Sequence, residues 1–325
     1  MNRKPALVAL GIGIALVASG CVAPPPSPGP APQMAREAAL LDTQAAAVAA
    51  DTFARLTEAD AALDASLLGD RVAGDALTVR TAQYKVARSV SDAKPEVLPS
   101  EMQALYVSAE SSWPRVLAGV SAQPGDNLTP VVSLWVQDDI ASPYSLRAWA
   151  HMIPGASMPS MASDVTGAAQ LSVTESSVAP TPQEAIEQYV EYLRAGKGSE
   201  LAAAFAPDTY AERLFAGRDV LSTAASGAGG AYSDTIEADL ENAYVMATAD
   251  GGALVFAPLT VASAFSVSNA KVSVPAADQA LVEGTLDATV THHYRDLIVL
   301  YIPGPGTGGL PAVVAADHHL IKVTP

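Results

Sequence analysis

The chain has 325 residues, half of them apolar, and a formal net charge of −16 at pH 7. That length suits two domains of ordinary size. The acidic balance repels phosphate backbones and no basic stripe interrupts it, so no nucleic-acid partner is expected.

Arg3 and Lys4 precede an apolar run, Pro5–Ala18, the pattern of a removable secretory signal over residues 1–20. The run falls short of the ~20 residues that cross a bilayer core. Val17-Ala18-Ser19-Gly20-Cys21 resembles the lipobox of bacterial lipoproteins, with Ala18 where such signals usually carry Leu. The resemblance implies that Cys21 is lipidated and becomes the new N-terminus. Ala18 and Gly20 also suit an ordinary signal peptidase, which would leave a secreted chain. Cys21 is the only cysteine, so it has no disulfide partner, and acylation gives a lone exported thiol a purpose. Residues 21–33 are rich in proline and form a polyproline II tether that spans up to about 37 Å. The expected address is the outer face of the cytoplasmic membrane, with the membrane as a partner through the lipid.

Residues 34–157 read as a first α+β unit. Leu41, Ala45, Val48, Phe53 and Leu56 recur at helical spacing, and Thr57 and Asp60 suggest a fresh start for a short second helix through Leu63, Leu67 and Leu68. Strands are expected at Leu77–Val90, at Ala104–Val120 broken by Pro114, at Pro130–Val136 and at Tyr144–Ile153. Residues 158–180, rich in Ser, Met, Pro and Gly, read as a linker. In the second unit, 181–325, Thr181-Pro182-Gln183-Glu184 is a capping box with proline at the first helical position. Ile186, Tyr189, Val190 and Leu193 continue that helix, and Gly196 stops it. Leu201, Phe205 and Leu214 mark further short helices. Strands follow near Ala243–Ala249, Ala253–Val267, Leu281–Tyr294, Leu297–Ile302 and Ala312–Val323. Asp250-Gly251 between Tyr244 and Phe256 is a hairpin signal.

Two series suggest an internal duplication: Leu56, Leu63, Leu67, Asp70 and Leu77 parallel Leu193, Leu201, Phe205, Asp208 and Leu214, and Tyr144 to Ile153-Pro154-Gly155 parallels Tyr294 to Ile302-Pro303-Gly304. Helices followed by hairpin-linked strands imply an α+β fold with helices on one face of an antiparallel sheet. The expectation is two tandem NTF2-like or cystatin-like units. Trp113-Pro114-Arg115, Ser133-Leu134-Trp135-Val136-Gln137, Pro143-Tyr144-Ser145-Leu146-Arg147-Ala148-Trp149-Ala150 and Ile153-Pro154-Gly155 resemble an uncharacterised lipoprotein family of high-GC Gram-positive bacteria. The resemblance implies an exported lipoprotein and carries over no catalytic residue.

Nucleophile, zinc, calcium and nucleotide motifs are absent from the sequence, so no catalytic residue, metal ligand or cofactor is assigned. Alternation on a strand puts His292 and Tyr294 on one face and His293 on the other. If the last strand pairs beside it, His292 and His318 or His319 could face each other with Asp317 or Asp296 nearby, which would make a metal or acid–base site. A hydrogen-bonded histidine in a sheet is the plainer reading. Trp135, Tyr144 and Trp149 are candidates to line a pocket, with a core role as the commoner alternative; Arg147 reads as a surface ion pair or an anion contact. The candidate pocket residues are thus Trp135, Tyr144, Trp149, His292 and Asp296. The expected function is a non-enzymatic binding or interaction module with an unidentified protein or small-molecule partner. The alternative is a small-ligand carrier or hydrolase-like enzyme that uses an NTF2-like cavity, with His292 and Asp296 as acid–base pair.

Overall fold

The computed structural model describes residues 37–325 apart from 110–112, 126–127, 163–165 and 269. The expected signal, Cys21 and the tether lie outside the described residues. Arg36–Pro325 is one compact unit. It opens with helices α1 (Asp42–Ala62) and α2 (Gly74–Ser89), joined through a 3₁₀ turn at Ala65–Leu68. Strands β1 (Met102–Val107), β2 (Arg115–Ser121), β3 (Val131–Gln137) and β4 (Ser145–His151) form an antiparallel meander. The short strand β5 (Gln170–Leu171) follows, then helix α3 (Pro182–Ala195), a 3₁₀ turn at Glu200–Ala204 and helix α4 (Thr209–Gly227). Strands β6 (Tyr232–Ala238), β7 (Tyr244–Ala247) and β8 (Ala253–Ser266) precede the short helix α5 (Ala276–Gln279), and β9 (Thr289–Ile302) and β10 (Ala312–Thr324) end the chain.

Both β6 and β7 pair with one edge of β8, running the same way, so they act as one interrupted strand. The second sheet is therefore also a meander, β6/β7–β8–β9–β10, with β5 added beside β7. Each half runs helix, 3₁₀ turn, helix, four-stranded meander. The mixed α+β fold with antiparallel sheets follows the sequence expectation at this level.

The central strands explain how the sheets stack. On β8, Ala253, Val255, Ala257, Leu259 and Val261 pack with α3 and α4, whereas Leu254 and Phe256 face the other way. On β3, Val131 and Trp135 pack with α1 and α2, whereas Val132, Leu134 and Val136 face the other way. The inward faces meet in one cluster that joins Val116, Leu134 and Ala148 to Phe256, Leu297 and Val299. The result is four layers, helices–sheet–sheet–helices. The segment expected as a linker lies across this body: Gln170 pairs with Met246, Ala168 bridges Ser108, and Met161 bridges Thr248.

A bulge keeps two large side chains on the correct face. Leu134 pairs with Ala148 and Trp135 with Leu146, leaving Arg147 as the extra residue. Strict alternation would send Leu146 and Trp149 to opposite faces. With one inserted residue both enter the helix-side cluster. Arg147 itself is half-buried, donating to the Asp138 carboxylate and through Nε to Ser145 Oγ at 3.0 Å.

The capping box at Thr181 and the turn at Asp250 form as the sequence predicts. Thr181 Oγ1 accepts from the Glu184 amide at 3.2 Å, and Glu184 Oε2 accepts from the Thr181 amide at 2.9 Å. Tyr244 pairs with Phe256 across the turn at Asp250. Asp250 accepts from Thr248, from Tyr301 at 2.5 Å and from the Gly304 amide at 3.0 Å.

Other expectations are corrected. Thr57 does not begin a helix; its hydroxyl bonds back to the Phe53 carbonyl at 2.8 Å inside a continuous α1. Leu77–Val90 is helix α2, not a strand. Its buried positions Ala76, Val79, Arg80 and Tyr84 keep helical spacing, but a charged residue occupies the buried stripe and hides the period. Residues 281–288 precede the strand that begins at Thr289, and β6 is an element the hydropathy pattern misses because Asp234 and Glu237 interrupt it.

Phe256 is fully buried between the sheets. Phe256→Ala should lower the unfolding free energy by about 3–5 kcal/mol. Urea denaturation should show a lower midpoint with an unchanged slope.

Candidate functional site

The expected pocket residues separate. Trp135 is fully buried; its Nε1 donates to Thr52 Oγ1 at 3.1 Å and its ring meets Phe53 edge-on at 6.2 Å. Tyr144 is buried in the same cluster, where loss of solvent pushes its hydroxyl pKa up to about 12. Trp149 donates to Glu96 Oε2 at 3.1 Å and lies between Arg80 and His319. These aromatics are core of the first half. Trp149 and Asp296 border a common void of about 10 Å³, no larger than a single water needs. His292 and Asp296 share one face of β9, as alternation requires, yet take different partners. His292 Nε2 lies 3.1 Å from Asp278 Oδ2. On the opposite face His293 Nε2 lies 2.9 Å from Thr324 Oγ1.

The β9–β10 register sets Asp296 directly opposite His318. His318 Nδ1 lies 2.9 Å and 2.8 Å from the two carboxylate oxygens of Asp296. Asp296 is only 2% exposed, and a buried carboxylate requires such partners. Its second partner is Tyr210, whose hydroxyl donates to Oδ2 at 2.5 Å from the first turn of α4. That turn is fixed by the N-cap Asp208, which accepts from the Ala211 amide at 2.7 Å and from the Tyr189 hydroxyl of α3 at 3.0 Å. Burial first, and the facing carboxylates second, raise the pKa of Tyr210 and Tyr189 well above the ordinary tyrosine value. Both phenols therefore keep their protons and act as donors.

An ionised carboxylate only accepts, so a proton sits on Nδ1 of His318 and Nε2 is left to meet a ligand. Nε2 has no hydrogen-bond partner among the described residues. The Tyr294 ring stacks on the imidazole with centroids 3.8 Å apart and fixes its plane.

His318 and Tyr294 line a cleft of about 430 Å³ between α4 and the second sheet. Ile153, Leu214 and Leu221 form apolar wall, and Arg213 and Arg218 also line it. Arg218 is occupied, with Nε 2.8 Å from Asp234 and Nη2 on the Leu193 carbonyl at 2.8 Å. Arg213 has no ion pair or hydrogen bond among the described residues. Ser263 lines the cleft too, but its Oγ accepts from the Tyr232 hydroxyl at 3.1 Å. No hydroxyl or thiol is hydrogen-bonded to His318 among the described residues. A groove of about 510 Å³ beside Tyr106 and Met152 is larger and has no charged residue in its lining.

The acid–base pairing expected for His292 and Asp296 is thus made by His318 and Asp296. Tyr210 and Arg213 were not singled out from the sequence. The available signal was Asp208-Thr209 ahead of a helical pattern, an N-cap that orients Tyr210 two residues later.

Tyr210→Phe removes one of the two partners of a buried carboxylate and should cost about 1–3 kcal/mol of stability. Chemical denaturation of the variant beside the parent protein checks this.

A family model described as Domain of unknown function (DUF8094) matches residues 37–321. No curated protein and no solved structure matches the chain.

Proposed function

We propose that this chain, which belongs to the family described as Domain of unknown function (DUF8094), is a lipid-anchored, extracytoplasmic binding protein whose ligand enters the cleft at His318. The observation that carries the ligand reading is the His318–Asp296 pair. A buried carboxylate and a stacked tyrosine hold one imidazole still, and its unpartnered Nε2 belongs to a residue that lines an open cleft. The volume, about 430 Å³, lies in the range of about 300–1,000 Å³ typical of small-molecule sites. The lining suits a small amphipathic molecule whose polar head meets His318 and Arg213, and whose apolar part rests on Ile153, Leu214 and Leu221. Binding is favoured over hydrolysis because the cleft offers an oriented imidazole without a nucleophile in hydrogen-bond contact among the described residues.

The address rests on the basic start, the apolar run and the single cysteine of residues 1–21, together with the likeness to lipoproteins of high-GC Gram-positive bacteria. No helix among the described residues is long and apolar enough to cross a membrane. A duplicated ancestry from an NTF2-like or cystatin-like unit is part of the same reading. Its support is the repeated order of helix, 3₁₀ turn, helix and four-stranded meander, with helices on the outer face of each sheet.

Cys21→Ser should move the protein from the membrane fraction to the soluble fraction, as read by immunoblotting of fractionated cells; retention in the membrane would overturn the anchor. Native mass spectrometry of the full-length protein, extracted gently from cells, should reveal a small co-purifying mass that is lost on denaturation. That mass should fall away in His318→Ala and Arg213→Ala. A clean apo mass in the parent protein would count against the cleft as a ligand site.

A further inference from the structure

A second cluster lies on the opposite side of β10 from His318. The first sheet ends where β4 turns onto β10: Met152 bridges Ala315, and the Ile153 amide donates to the Val314 carbonyl at 2.9 Å. At this junction His151 Nδ1 lies 2.8 Å from Asp317 Oδ2 and 3.4 Å from Glu96 Oε1. One ligand atom from each of Glu96, His151 and Asp317 lies within 4.8 Å of the others. The residues come from three separate segments: the stretch after α2, the end of β4 and the middle of β10.

We propose that Glu96, His151 and Asp317 form a binding site for a divalent first-row transition-metal ion. The donor set is two carboxylates and one imidazole nitrogen, which suits zinc and its neighbours. An ion bonded at about 2.0–2.2 Å to tetrahedrally placed N and O ligands holds them about 3.3–3.6 Å apart. The His151–Glu96 separation of 3.4 Å matches that spacing, whereas the 2.8 Å between His151 and Asp317 is a hydrogen bond that an entering ion would replace, opening the pair by about half an ångström.

His319 supplies an independent pointer. Its Nε2 is buried, has no hydrogen-bond partner and lies 3.6 Å from Asp317 Oδ2. A buried ring nitrogen without a partner calls for an explanation, and a water carried by an ion on Asp317 would provide one. The supporting shell is already in place. Glu96 Oε2 is held by Trp149 Nε1 at 3.1 Å and Gln83 Nε2 at 3.3 Å, which aims Oε1 at His151. Arg80 Nη1 donates to the Glu96 carbonyl at 2.7 Å and fixes that stretch of backbone. Asp317 Oδ2 is oriented by the His151 amide at 3.1 Å. Partners of this kind set ligand geometry in established metal sites. Because His151 closes the first sheet and Asp317 belongs to the second, a bound ion would staple the two sheets together at their shared corner.

The test is zinc titration of chelator-treated full-length protein by isothermal calorimetry, with the fold of every variant checked by metal-free melting. The expected result is saturable one-to-one binding at micromolar zinc, weakened at least ~10-fold in Glu96→Gln and in His151→Gln and unchanged in His318→Ala. Cobalt loaded into the parent protein should show visible ligand-field absorption and shift the His151 imidazole resonances, a readout that needs no variant. Absence of saturable uptake by the folded parent protein would overturn the proposal. So would undiminished binding in both the Glu96 and His151 variants, or loss of binding in His318→Ala alone, which would put the ion in the cleft.

Discussion

Strands that are apolar on both faces cannot rest at a surface, and the whole architecture follows from four of them. In β2, β3, β8 and β9 successive residues alternate between two buried clusters rather than between core and water. Each sheet therefore needs a cover on both sides. One cover is a helix pair and the other is the second sheet. The helices carry the narrower apolar stripes that such packing requires, and polar groups inside the layers must find partners there. Trp135 finds Thr52, Tyr84 finds Asp60 at 2.6 Å, and Asp296 finds Tyr210 and His318.

The last strand makes the most of this layering. Neighbouring residues on a strand point to opposite faces, so the doublet His318-His319 cannot serve one centre. His318 faces α4 and meets Asp296. His319 faces the first half and meets Trp149 and Asp317. One dipeptide thus borders the proposed ligand cleft on one side and the proposed metal site on the other. The β9–β10 register decides both, because a slip of one residue would exchange the faces.

The halves repeat their element order, and the sequence parallels bear on that unevenly. The series Leu56 to Leu77 and Leu193 to Leu214 begins in the first helix and ends in the second helix of each half, but its middle members are out of step: Leu63 caps α1 where Leu201 lies in a 3₁₀ turn, and Leu67 lies in a 3₁₀ turn where Phe205 follows one. The series ending in Ile-Pro-Gly does not match, since Tyr144–Ile153 covers the fourth strand of its meander and Tyr294–Ile302 the third. Similar strand ends meet similar turn requirements, so a shared Ile-Pro-Gly reflects local geometry more than equivalent position.

What the sequence by itself determined was short-ranged: the capping box at Thr181, the turn at Asp250, most strands and the alternation that splits His292 from His293. Each depends on residues within a few positions of one another, where backbone geometry acts directly. It misread α2, because Arg80 sits in the buried stripe and most of what makes that tolerable comes from other segments: the Glu96 carbonyl, the Trp149 ring and the Asp60 carboxylate 3.6 Å away. The tertiary structure alone decided which histidine meets Asp296, that Tyr210 completes the pair from 86 residues away, and that His151 meets Asp317 across 166. Those meetings depend on strand register, one bulge and the stacking of two sheets. These are properties of the assembled layers, and no window of local sequence contains them.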